Sequence, residues 1–184
     1  EGHFQGHAAY FIRLGGCDVG CHWCDVKESW PMDTHPKVSI QQLLQEVQQT
    51  PCEIVVITGG EPLMHDLHPL TQALQTAGFR THIETSGVGK LSGSWDWICF
   101  SPKKFKDPNP AIYSLVNELK IVVFNKSDIK WAQTFVKDMP KTARLLLQPE
   151  WSKREEMNPL IVDFVKAHPH WNISIQTHKY LQIP

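Results

Sequence analysis

The sequence has no surplus of either charge: 18 Lys and Arg stand against 19 Asp and Glu, a formal net charge of −1 over 184 residues. A protein that grips a phosphate backbone needs a basic surplus, so no nucleic-acid partner is expected. No apolar run approaches the ~20 residues of a membrane span, so no membrane partner is expected either. No signal-peptide pattern opens the chain, and the expected location is cytoplasmic. Repeats, low-complexity tracts and linker-like stretches are missing. At about 150 residues per domain, a single domain over residues 1–184 is expected. Five cysteines cannot all pair, and a chain this long buries a core without disulfides.

What is present alternates between β-type and helical runs. Strands are predicted at 8–14, 53–58, 79–85, 95–100, 118–124, 143–148 and 171–176. A helix is predicted at 39–49, with Ser39 and Gln42 at capping-box spacing. Another is predicted at 67–77, stopped by Gly78. A third runs over 127–139 with Ser127 as its cap. A fourth lies between about 154 and 167, where Asn158-Pro159 marks a candidate start. Alternation of this kind predicts parallel strands with helical crossovers. A closed eightfold barrel takes ~250 residues, which leaves an α/β fold of the abbreviated, partial (β/α) barrel type, mostly parallel, or a doubly wound sheet.

The unusual segments share one place in this pattern. Gly15-Gly16-Cys17, Gly59-Gly60-Glu61-Pro62, Glu84-Thr85-Ser86-Gly87, Ser101-Pro102-Lys103, Gln148-Pro149-Glu150-Trp151 and Thr177-His178-Lys179-Tyr180 each follow a predicted strand. Parallel sheets build their sites at the C-terminal ends of strands, so these segments are the candidate mouth.

Cys17, Cys21 and Cys24 fall within eight residues of a glycine-bearing loop. Clustered thiolates point to a metal. A structural zinc site wants four ligands, and only three sulfurs are clustered. His22 as a fourth ligand would point away from its neighbours. A four-iron cluster on three cysteines leaves one iron open. Cys52 and Cys99 read as buried thiols.

Cys17-x3-Cys21-x-Trp23-Cys24, with an aromatic before the last cysteine, resembles the signature of the radical S-adenosylmethionine family. Gly59-Gly60-Glu61-Pro62 resembles its second motif. The likeness extends through Phe4-Gln5-Gly6, Phe11-Ile12-Arg13, Cys24-Asp25, Thr58, Glu84-Thr85-Ser86-Gly87, Ser101-Pro102-Lys103, Gln148-Pro149 and the run from His178 to Pro184. Together these resemble the branch of the family that serves queuosine and 7-deazapurine biosynthesis.

The resemblance implies a [4Fe-4S] cluster on Cys17, Cys21 and Cys24, with S-adenosylmethionine on the open iron. It implies cofactor contacts from Trp23, Cys24, Asp25, Gly59, Gly60, Glu61, Ser101, Pro102, Lys103, Gln148, Pro149, Glu150 and Trp151, with Glu61 near the ammonium group. The implied reaction converts 6-carboxy-5,6,7,8-tetrahydropterin to 7-carboxy-7-deazaguanine with loss of ammonia. Substrate contacts carried over are Phe4, Gln5, Gly6, Thr58 and the terminal carboxylate of Pro184. Arg13, projecting from the first strand, is the candidate partner of the substrate carboxylate. Glu84 is a candidate catalytic group at the mouth. His7 departs from the usual Glu. Val26 stands where the family often carries a Thr that ligates Mg²⁺, so a lowered Mg²⁺ dependence is expected. An external one-electron reductant such as flavodoxin and a homodimer are the implied partners. The competing readings are an activase of glycyl-radical enzymes and a non-catalytic zinc or iron–sulfur module.

Overall fold

The computed structural model describes residues 1–183. The chain divides into two compact units, Ala8–Ile112 on the one hand and Glu1–His7 with Tyr113–Pro184 on the other.

In the unit Ala8–Ile112, β1 (Ala9–Leu14), β2 (Ile54–Gly59), β3 (Arg80–Thr85) and β4 (Trp97–Phe100) lie side by side in sequence order, all parallel. Ile54, Val55, Val56 and Ile57 of β2 are buried in succession, the pattern of a strand covered on both faces. The crossovers are α1 (Ile40–Gln48) and α2 (His68–Thr76). The expected capping box opens α1: Gln42 N donates to Ser39 Oγ at 3.2 Å, and Ser39 N donates to Gln42 Oε1 at 3.0 Å. Gly78 ends α2 as expected. Its φ of 90° suits glycine, and Phe79 N reaches back to the Leu74 carbonyl at 3.0 Å while Gly78 N reaches Gln75 at 3.0 Å. Leu70 and Leu74 then face the sheet, buried.

In the other unit, β5 (Glu118–Val123), β6 (Arg144–Pro149) and β7 (Trp171–Ile173) are again parallel. The helices are α3 (Lys126–Phe135), α4 (Arg154–Ala167) and a short α5 (Thr177–Leu181). The core takes Leu119, Ile121, Leu147, Met157, Ile161 and Trp171.

Two expectations are corrected here, and one alternative is set aside. The cap of α3 is Asn125, not Ser127: Asn125 Oδ1 accepts from Ser127 N at 2.9 Å, and Asp128 Oδ2 accepts from Asn125 N at 2.8 Å. α4 spans Arg154–Ala167 as expected, and only the alternative start at Asn158-Pro159 is set aside, since Pro159 lies inside the helix. A proline there gives up the hydrogen bond to the Glu155 carbonyl and crowds it, on a side of the helix that is exposed. β7 stops at Ile173, and the predicted strand over 171–176 gives way to the turn into α5. No helix of the described residues is long and apolar enough to cross a membrane.

Candidate active site

In the unit Ala8–Ile112 the site residues hang on four successive turns. Gly60 N donates to the Leu14 carbonyl at 2.9 Å and Glu61 N to the Gly16 carbonyl at 2.7 Å, so the turn after β2 is bonded to the start of the cysteine loop. Only glycine permits that approach. A Cβ at position 60 would lie 2.1 Å from the Gly16 oxygen and 3.0 Å from Cys17 Cβ; one at position 59, where φ is 134°, would lie 2.2 Å from the Leu14 oxygen.

Glu61 is buried and accepts four hydrogen bonds from its own chain. Leu63 N (3.0 Å) and Thr85 Oγ1 (2.5 Å) reach Oε1; Ser86 N (2.8 Å) and Ser86 Oγ reach Oε2. A carboxylate has about four lone-pair sites, so these donors occupy it and lock the turn after β2 to the turn after β3. Ser101 N donates to the Thr85 carbonyl at 2.8 Å, adding the turn after β4. Ser101 and Pro102 are buried, and Lys103 Nζ donates to Ser101 Oγ at 2.8 Å.

Cys17 and Cys24 are half-buried and Cys21 is buried; none is in a disulfide. Burial pushes the Cys21 thiol up to about 11, with Cys24 and Cys17 adding to the push and Lys103 opposing it. Among the described residues, no three His, Cys, Asp or Glu side chains are grouped as holders of one metal ion. A cubane takes each thiolate on a different iron, so three free thiols on one short loop are the donor set that group requires. Trp23 is half-buried and Asp25 exposed on the same loop.

Arg13 pairs in register with Thr58, and Ile57 with Ile83, one residue before Glu84. In parallel strands, paired residues share a face. Arg13, Thr58 and Glu84 therefore form one row, and all three keep contact with solvent while Ile12, Ile57 and Ile83 behind them are buried.

The remaining predicted residues lie in the other unit. Phe4 is half-buried between the edges of His3 and His7, at 5.0 and 5.4 Å, while Gln5 and Gly6 are exposed. Gln148 is buried; its Nε2 donates to Glu1 Oε2 at 3.2 Å and its Oε1 accepts from Ser174 Oγ at 2.7 Å. Pro149 is buried beside it. Glu150 turns onto Ser152, accepting from its N at 3.1 Å and from its Oγ. Trp151 has the Arg154 guanidinium 4.3 Å from its ring centroid, Lys179 Nζ at 5.5 Å and the edge of Tyr180 at 5.0 Å. Pro184 lies outside the described residues.

Sequence reading missed a buried polar cluster here. Lys120, 2% exposed, donates to Glu1 Oε2 at 2.8 Å. Burial works against the Glu1 carboxylate, yet Lys120's charge and hydrogen bond, with Gln176, hold it down at about 2. Glu118, also buried, accepts from His3 N at 3.0 Å. The signal was available: Glu118 and Lys120 are charges at alternate positions of an otherwise apolar strand, and buried charges need partners.

The family model of the Radical SAM superfamily matches residues 11–94, the span that carries the cysteine loop and the two-glycine turn. A parallel α/β fold with that loop at its strand ends is a radical S-adenosylmethionine enzyme, a class that carries a [4Fe-4S] cluster and S-adenosylmethionine. Along its whole length the chain is 50% identical to the 7-carboxy-7-deazaguanine synthase of Flavobacterium psychrophilum, covering 87% of it, and 48% identical to that of Synechocystis sp., covering 88%. The crystal structure of QueE from Escherichia coli superposes with a TM-score of 0.82 at 32% identity, over 95% of this chain and 88% of that one. The chain belongs to the 7-carboxy-7-deazaguanine synthase family. Its fold is the partial barrel of that structure, as expected, rather than a closed eightfold one.

Proposed function

We propose that residues 1–184 act as one catalytic domain that converts 6-carboxy-5,6,7,8-tetrahydropterin to 7-carboxy-7-deazaguanine with loss of ammonia, in queuosine and 7-deazapurine biosynthesis. The observation that carries this reading is the approach of Gly60 to Gly16 and Cys17, too close for any Cβ, in a chain of the synthase family. When bound, the cluster and S-adenosylmethionine supply a carbon-centred radical able to take a hydrogen atom from the substrate.

Cys17, Cys21 and Cys24 would hold the cluster, leaving it open to S-adenosylmethionine. Gly59 and Gly60 offer it backbone at close range, and Glu61, spent on Thr85 and Ser86, keeps that backbone oriented. Trp23, Asp25, Ser101, Pro102 and Lys103 are assigned to the same cofactor; so, by resemblance alone, are Gln148, Pro149, Glu150 and Trp151. Arg13 orients the substrate carboxylate as a fork of two parallel donors. Thr58 and Glu84 share its row; Thr58 holds substrate, and Glu84 carries or accepts a proton at the mouth. Phe4, Gln5, Gly6 and Pro184 are assigned to substrate by resemblance. The enzyme works in the cytoplasm as a homodimer and draws electrons from a donor such as flavodoxin.

The test is anaerobic incubation of the reconstituted protein with carboxypterin, S-adenosylmethionine and a reductant, followed by mass analysis. Product with ammonia release is the expected result; iron-loaded protein that leaves the pterin intact would sink the reading. Because Val26 offers no side-chain oxygen, chelating Mg²⁺ is expected to lower turnover only in part. Complete loss on chelation, restored by Mg²⁺, would overturn that expectation.

A further inference from the structure

The turn after β4 reaches over the cysteine loop. Lys103 and Lys106 pair across an antiparallel bridge, so residues 103–106 form a tight turn with Phe105 near its tip, 42% exposed. Its contacts land between the cysteines. Lys106 Nζ meets Asp18 at 2.5 Å, in the gap after Cys17. The Phe105 ring meets His22 edge-on at 5.3 Å and tilts against Trp23 at 6.1 Å, in the gap before Cys24. The turn has firm roots. Ser101 N is bonded to Thr85 O, and further on Asn109 N is bonded to Gly87 O, both at 2.8 Å.

We infer that residues 103–106 are a strap that holds the cysteine loop in its cluster-accepting shape and shields the cluster from dissolved oxygen, with Phe105 as the main positioning residue and the Lys106–Asp18 pair as the lesser one. The inference rests on the assignment of a cluster to Cys17, Cys21 and Cys24. Its physical basis is that the loop from Gly15 to Asp25 has neither helix nor strand to stiffen it, so packing must do so. It is held at its root, where Gly16 N donates to Ser29 O at 2.8 Å and Cys17 N to Trp30 O at 3.1 Å. The strap restrains the stretch beyond. Two aromatic contacts outweigh one exposed ion pair, which salt weakens further.

The test compares reconstituted parent, Phe105→Ala, Phe105→Tyr and Lys106→Met proteins by iron content, by loss of the cluster's visible absorbance in air, and by the melting temperature of the metal-free form. Phe105→Ala should bleach roughly two- to tenfold faster, the span that losing an aromatic contact gives a local opening equilibrium. Its metal-free melting temperature should match the parent's, and Phe105→Tyr should restore the parent's rate. Lys106→Met should bleach less than about threefold faster, and the parent in high salt should match it. A parent bleaching rate in Phe105→Ala overturns the strap. So does faster bleaching that tracks a lowered melting temperature and is not rescued by Tyr. A parent that takes up no iron would instead overturn the cluster assignment, and is read before any variant is compared.

Discussion

The two units each fix a carboxylate, and they hold it by opposite means. Glu61, in the unit Ala8–Ile112, is caged by neutral donors from Leu63, Thr85 and Ser86. Glu1, in the other unit, is held by the ammonium of Lys120 with help from Gln148. A neutral cage binds two turns together beside the loop that carries the cysteines. An ion pair cancels its charge and needs its partner: remove Glu1 and the buried ammonium of Lys120 loses its counter-charge. The first unit is built to position a chemistry-bearing loop, and the second is built to keep charge quiet inside a strand.

The largest expected effect separates the units by chemistry. Replacing Cys17, Cys21 or Cys24 by Ala should abolish turnover and lower the iron bound per chain, whereas Lys120→Met should leave iron uptake intact. Iron analysis of the purified variants reads this directly, and a Cys→Ala protein with full iron and activity would break the contrast. Next, Glu1→Gln, which takes the counter-charge from the buried Lys120 ammonium, should cost about 3–5 kcal/mol in denaturant unfolding. Glu61→Gln, which keeps one acceptor oxygen but turns a donor toward Ser86, should cost only about 1–3 kcal/mol. If the two variants lose equal stability, neutral cage and ion pair are equivalent here.

Acid should sharpen the comparison through two windows. Burial, with Arg80 nearby and Asp96 opposing, holds His82 down at about 4 from an ordinary 6.5. The unfolded chain then binds the extra proton first, so stability falls as pH drops from 6.5 toward 4, by up to about 3 kcal/mol, and is regained above that window. Glu1 is depressed from 4.5 to about 2, so its contribution is present above 4.5 and is lost as pH falls toward 2. Urea melts across this range should show the first loss disappearing in His82→Phe while the second persists. A single loss confined below pH 4 would remove His82 from the account.

Much of this was readable in the chain because the signals were local. The Ser39–Gln42 box and the Gly78 stop depend on residues within four or five positions, and they formed as expected. Ser127 failed as a cap because Asn125, two residues earlier, sits in extended backbone with Asp128 at the right spacing to complete the box. Asn158-Pro159 failed as a helix start because burial of Met157 and Ile161 holds one continuous helix through the proline. The row of Arg13, Thr58 and Glu84 was foreseen residue by residue but not as a row, since register between strands is not written in any one of them.

By itself, then, the order of residues determined the alternation of strands and helices, the family, and the trio of thiols with its two-glycine partner, because each is encoded at short spacing. Tertiary structure alone decided which donors Glu61 meets, that Lys120 is matched to Glu1 across 119 positions of chain, and that Phe105 lies on the gap before Cys24. Such pairings arise only when folding brings remote strand ends together. Burial then makes an unmatched charge or donor too costly to keep.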